Sequence, residues 1–415
     1  MFKHLPSRKK MMVLAAAVPL LLAAAGCSES DSADNEQAAA DAVKDAPEGT
    51  FTDNKAEAEP VLVGLYVPEG GAHISQPESR EAAEASVKYA NSYLGGIGGH
   101  PIELKICKGK EDAASAADCA NQFVEAKVAA VVVTNTGQGD AMAPIITKAG
   151  IPYTSYSGAS GSELASPNSF LWTAGFPAVL ATMASHAASE GHKSVTLYVT
   201  DNAAALGGAK AMGEPAFKAA GVELKLVPVP LGTPDATPQV SAGLKDKPGA
   251  IGVVGDATMC ASVLKPLKTL GTDVEKMVIN YCTEDSVLDA IGKDGVEGAT
   301  MITSTDATSS DDEVVVYKAI LGKYAPDVNP IGAASAGYQS MMGFIRAAEG
   351  VQGEVTPESL ITAISSAKDV PLPLGAGLTF SCDGKQMPGL TGPCSAKAIV
   401  GTVKDGSVAE YAPAS

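Results

Sequence analysis

The run VLVGLYV, residues 61–67, is apolar at every position. A strand with one face in water alternates apolar and polar residues, whereas a strand covered by helices on both faces has no reason to. The surroundings support the second case. A helical pattern, ESREAAEASVKYANSYL (78–94), follows and stops at the breaker GGIGG (95–99). The same alternation continues with IELKIC (102–107) as a strand and ASAADCANQFVEA (114–126) as a helix. AAVVVTN (129–135) and IPYTSY (151–156) are further strands, with a helix near 140–149 between them. Strand–helix–strand order predicts a parallel sheet with helices on both faces.

The rhythm restarts after Pro177. Helices are expected at 178–190, 206–220, 237–246 and 258–270, and strands at 194–199, 222–229, 250–256, 277–281 and 299–305. Helices return at 311–324, 333–349 and 357–367. A tail of short strands and turns, pinned by Cys382 and Cys394, ends the chain. The fold class is therefore α/β, with two doubly wound parallel-sheet lobes built from separate pieces of chain.

Upstream of this body the chain opens with Lys3, Arg8, Lys9 and Lys10, then an uncharged run from Met11 to Ala25. That run is shorter than the roughly 20 apolar residues a membrane span needs. A basic start, a short apolar core and small residues describe a secretory signal over residues 1–26. Ala24-Ala25-Gly26-Cys27 resembles a bacterial lipobox, which implies that Cys27 becomes a lipid-bearing N-terminus, extracytoplasmic and anchored to the membrane. Between Ser28 and Glu59 ten acidic residues face only Lys44 and Lys55, and Val43 and Phe51 are the only large apolar side chains. Such a composition predicts a disordered tether over 27–59.

The net charge of −17 becomes −21 once the four basic residues of the signal are removed. An acidic body with no basic stripe excludes nucleic acid as a natural partner. Six further cysteines suit an oxidising compartment. They allow fifteen pairings in principle. Sequence neighbours are the simplest choice: Cys107 with Cys119, Cys260 with Cys282, Cys382 with Cys394. No pair has CxxC spacing and the five histidines form no cluster, so no metal site and no cofactor is expected.

The order of elements, the GGIGGHPIEL turn (95–104) and AGIPYTSYSGAS (149–160) resemble the type I periplasmic binding proteins. Within them the resemblance is to the leucine/isoleucine/valine-binding branch that feeds ABC importers, and YVPEGG, CANQFVE and FSCDGKQMPG point to its lipoprotein members. The resemblance covers the chain from about residue 60 to the end. It implies two lobes, 60–176 with 306–370 and 177–305 with 371–415, joined by crossovers near Phe176, Thr305 and Pro371. It also implies a monomer that hands its ligand to permease and ATPase subunits.

In open α/β sheets ligands bind beyond the carboxyl ends of the strands. In the first lobe those ends offer Glu69, Gly70 and Gly71, then Thr136, Gly137 and Gln138 ahead of a helix, then Ser157, Gly158, Ala159 and Ser160. Free N–H groups at a helix start suit a ligand carboxylate. The resemblance assigns Ser157 and Ala159 to the ligand's amino acid moiety. Ser160 with Glu163 also reads as a capping box. The second lobe offers Asn202, Leu206, Asp256, Ala257, Tyr281 and Glu284. Leu206 stands where the branch commonly carries an aromatic ring, and Asp256 also reads as a helix cap.

Enzyme classes find no support. VPEGGAHISQPE (67–78) lacks GxGxxG, and GASGS (158–162) and AASAG (333–337) each miss the nucleophile elbow by one residue. The expected role is capture of an amino acid, carboxylate or amide for an importer. The competing role is a ligand-sensing lobe signalling through a separate membrane partner.

Overall fold

The computed structural model describes residues 29–414 apart from His73 and Pro388. The signal and Cys27 lie outside them. The chain begins in α1 (Glu29–Lys44) and enters a five-stranded sheet of β1 (Val61–Pro68), β2 (Ile102–Gly109), β3 (Ala130–Val133), β4 (Tyr153–Ser155) and β5 (Ser169–Leu171). Helices α2 (Pro77–Tyr89), α3 (Ala113–Glu125), α4 (Gly139–Lys148) and α5 (Gly161–Ala165) alternate with these strands. All pairings are parallel, in the spatial order β2-β1-β3-β4-β5. β1 lies inside the sheet with Val63 and Leu65 fully buried, the environment its unbroken apolar run demands.

The second lobe follows with α6 (Phe176–Ser189), β6 (Ser194–Thr200), α7 (Ala203–Gly208), α8 (Glu214–Ala219) and β7 (Glu223–Val229). Next come α9 (Thr237–Leu244), β8 (Ala250–Val254), α10 (Ala257–Thr269), β9 (Glu275–Val278), α11 (Asp285–Ile291) and β10 (Thr300–Thr303). Three helices, α12 (Asp312–Tyr324), α13 (Ala333–Ala347) and α14 (Pro357–Ser366), return to the first lobe. A small antiparallel pair, β11 (Val370–Pro371) with β12 (Thr379–Phe380), precedes the hairpin β13 (Ile399–Lys404) and β14 (Ser407–Pro413). That hairpin joins antiparallel to β10 and completes a seven-stranded sheet in the order β14-β13-β10-β9-β8-β6-β7.

Two expectations need correction. The return to the second lobe falls at 395–398, not near Pro371. Leu372, Leu374, Leu378, Phe380, Cys382 and Cys394 are buried in the first-lobe core, and the Phe380 ring lies 5.2 Å from that of Trp172. The segment also bonds to β5, with Leu171 N donating to Gly392 O and Cys394 N to Leu171 O. Burying that apolar cluster outweighs any sequence cue for an earlier crossover.

Nor is the acidic segment loose. α1 lies across α12, so close that a side chain on Gly322 would meet the Ala39 carbonyl oxygen at 2.4 Å. Farther on, Phe51 packs edge-on against Tyr89 and Tyr93, Lys323 Nζ sits 4.9 Å above its ring, and Ala56 N donates to Asn91 O. Alanines give α1 good helix propensity and let it approach closely. A composition argument that counts only large apolar residues misses this.

The three disulfides join Cys107–Cys119, Cys260–Cys282 and Cys382–Cys394. The first ties the end of β2 to α3. The second ties α10 to the loop after β9. Both thus brace loops at the carboxyl ends of strands.

Candidate functional site

Between the two sheets lies a cavity of about 280 Å³, lined from both lobes. A second cavity of about 290 Å³ adjoins it at the mouth and shares Ile74, Gln76, Asp256 and Tyr281. The lobes touch there. Asn135 Nδ2 donates to the Tyr281 hydroxyl across the cleft at 3.3 Å, and Asn329 Nδ2 to Asp285 Oδ2 at 2.6 Å. Glu284 of the second lobe lies against the start of α13, where Gly332 (φ +73°) leaves room: a Cβ there would sit 2.1 Å from Glu284 Oε1. At the back, Gln339 Nε2 donates to Ser304 O and Pro373 O, crosslinking two strands of chain beside the crossovers.

On the first-lobe side the loop after β3 brings Thr136, Gly137 and Gln138 to the cavity, as expected. Their donors are not free. Glu111, in the loop after β2, places its carboxylate among them: Oε1 accepts from Tyr66 OH (2.8 Å) and Thr136 Oγ1 (2.9 Å), and Oε2 from Gly137 N (2.8 Å). The Thr136 and Gly137 donors expected to meet a ligand carboxylate are thus taken by the chain's own. Burial first, then the negative Glu111, pushes the Tyr66 hydroxyl far above its ordinary pKa, so it stays a donor.

The loop after β4 shows the same arrangement. Ser157 and Ala159 line the cavity. However, Ala159 N, Ser160 N and Ser160 Oγ all donate to Glu163 Oε2, and Tyr153 OH donates to Oε1. Ser160 and Glu163 form the capping box of α5, so Ser160 faces inward. Gly158 packs on Leu171 rather than the cavity. Burial drives the Glu163 carboxyl pKa upward against these hydrogen bonds. Among the described residues the Ser157 hydroxyl donates to no protein group, which leaves it available to a ligand.

Glu69 is not in the cavity. Arg80 Nε at 2.8 Å and Lys108 Nζ at 2.7 Å hold it. Burial works to raise its pKa, and these two cations outweigh that and hold it below the usual range. Gly70 and Gly71 form the turn beside it; a side chain on Gly71 would collide with the carbonyl oxygens of Ile74 and Lys110. Ile74 and Gln76, farther along that turn, reach the cavity instead.

In the second lobe Asn202, Asp256 and Tyr281 line the cavity. Asn202 Oδ1 and Asp256 Oδ1 also cap α7 and α10, accepting from Ala205 N and Met259 N. Leu206 does not line it; Ala205 and Leu231 do. Ala257 and Glu284 belong to the mouth cavity, with Glu78, Asp285 and Asn329. Burial first, then Glu78, Asp256 and Asp285, pushes the Glu284 carboxyl up to about 7. The cavity gains Glu111, Asn135, Tyr156, Phe176, Leu231 and Lys397 beyond the expected set. Tyr156 was legible from its place in YSGAS. Glu111, within the charged run KGKED, gave no such signal.

One parallel and one largely parallel sheet, three crossovers and a cleft at the carboxyl ends of their parallel strands define a solute-binding protein that encloses its ligand between lobes. The chain belongs to the periplasmic binding protein family, whose model matches residues 60–391. It is a binding protein and not an enzyme. No curated protein sequence matches it. Solved structures share the fold. A leucine-binding protein from Thermotoga maritima aligns with TM-score 0.69 and 21% identity, covering 85% of this chain and 98% of that one. A branched-chain amino acid transporter substrate-binding protein from Streptococcus pneumoniae, in complex with isoleucine, aligns with TM-score 0.67 and 22% identity over 85% and 99%. A fatty acid ABC transporter substrate-binding protein from Thermomonospora curvata gives TM-score 0.72 and 15% identity over 88% and 93%.

Proposed function

We propose that this protein captures a small polar solute in the interlobe cleft and delivers it to the permease and ATPase subunits of an ABC importer. Lipid on Cys27 would hold it at the outer face of the membrane, as a monomer. The observation that carries this reading is the interlobe cavity of about 280 Å³ with polar and apolar side chains supplied by both lobes. Its size suits a small metabolite and its walls mix convergent polar groups with apolar surface, as ligand sites do. Ser157, Gln138 and Asn135 would hold the ligand from the first lobe; Asn202, Asp256 and Tyr281 would close on it from the second. The competing sensing role uses the same cleft and differs only downstream. A thermal-shift screen of small metabolites, followed by solution scattering with and without the hit, tests capture. A solute that raises the melting temperature and shrinks the particle supports it; no hit and no compaction refutes it. Uptake of the hit by cells lacking the gene then separates import from sensing.

A further inference from the structure

We propose that the cleft selects a solute presenting a cationic nitrogen, an amine or amidine, to Glu111, and rejects one presenting a carboxylate there. This rests on the solute-binding reading above and names the ligand class of that same cleft. The loop ahead of α4 already spends its donors on Glu111: Gly137 N and Thr136 Oγ1 donate to it, and Tyr66 OH completes three donors. A carboxylate offers about four acceptor positions. The remainder opens on the cavity, which Glu111 lines.

The carboxylate is built in rather than passing through. Gly109 lets the Tyr66 ring lie beneath the loop, since a Cβ there would fall 2.1 Å from the Tyr66 hydroxyl. Gly71 fits against the Lys110 carbonyl in the same way, at 2.7 Å. Cys107–Cys119 ties the strand below Glu111 to the helix after it. Withdrawal of Glu111 would leave the Tyr66 hydroxyl without this acceptor, which a buried donor tolerates poorly.

The surroundings carry the same sign. Among the described residues the charged groups lining the main cavity are Glu111, Asp256 and the exposed Lys397. The mouth cavity carries Glu78, Asp256, Glu284 and Asp285 and, among those residues, no basic side chain. The other first-lobe N–H pair, at Ala159 and Ser160, is closed to an anion by Glu163. Tyr156, Phe176, Leu231 and Tyr281 are left to cover an apolar or aromatic body. Aromatic faces favour a cation as well.

The test compares one carbon skeleton with three head groups: isoamylamine, isoamyl alcohol and isovalerate, with histamine and agmatine as larger cations and leucine as a zwitterion. Calorimetry on the wild type should show an amine bound at least tenfold tighter than isovalerate. Glu111→Gln should erase that preference, and Glu111→Ala, which frees Gly137 N, should strengthen isovalerate at least tenfold. Equal binding of isovalerate and amine by the wild type overturns the proposal whether or not the variants fold. So does a Glu111→Gln protein of native melting temperature with its preference intact, or a screen whose hits are all anionic. In these outcomes capture itself stands. Binding of no solute of any class is the separate result that removes both readings.

Discussion

Glu284→Gln should remove a large component of the pH dependence of stability between pH 4.5 and 8. In the closed protein this carboxyl is half-buried at the lobe junction, beside Glu78 of the first lobe and Asp256 and Asp285 of the second. Its pKa rises from 4.5 to about 7, burial first and then those three like charges; a backbone N–H at Ala333 opposes the shift. An acid with a raised native pKa is held most comfortably protonated. Its contribution is therefore best below pH 4.5, erodes as ionisation is forced on the closed form, and is fully lost above pH 7. A shift of that size corresponds to about 3 kcal/mol at 1.36 kcal/mol per pH unit. Urea unfolding at pH 5 and pH 8 should show the wild type weaker at pH 8 by up to that amount. Scattering should show the ligand-free lobes spread apart over the same interval. Glutamine keeps the shape and carries no charge, so the variant should lose this component of the pH dependence, Glu163 retaining its own, and should be more stable than the wild type at pH 8. Identical pH profiles for the two proteins would show that the junction does not govern closure.

Phe380→Ala should cost about 3–5 kcal/mol in urea unfolding, because the ring is buried against Trp172 and anchors the 371–394 segment to the first lobe. Gly322→Leu should lift α1 from α12, seen as rapid tryptic cleavage at Lys44 with little change in melting temperature of the remaining body; unchanged protection would refute the docked position. Replacing Cys107 and Cys119 together by serine should lower stability by about 3 kcal/mol, and non-reducing peptide maps of the wild type should show only the three neighbour pairs.

What the sequence by itself determined is local. The period of its apolar residues fixed strands and helices in order, because a strand buried on both faces, such as 61–67, must be apolar throughout. The breaker glycines and capping residues marked where elements stop, within a few residues of Tyr89, Glu125 and Thr269. Cysteine spacing pointed to the pairing because neighbours 12 and 22 apart close short loops at adjoining elements. The loops bearing Thr136, Ser157, Asn202, Asp256 and Tyr281 could be placed at the cleft because strand ends in a parallel sheet all point one way.

Tertiary structure decided the rest. Glu111 lies 26 residues before the amide it satisfies, in the loop after β2, a strand that enters the sheet beyond β1, so only the β2-β1-β3 order brings the two together. The short β5 and the neighbouring 392–394 segment carry too little pattern to declare their pairing. The alanines of α1 look like spacer until Gly322 offers a groove. In each case the deciding interaction joins residues far apart in the chain, and side-chain type fixes what a residue can bond to but not which partner the fold will bring within reach.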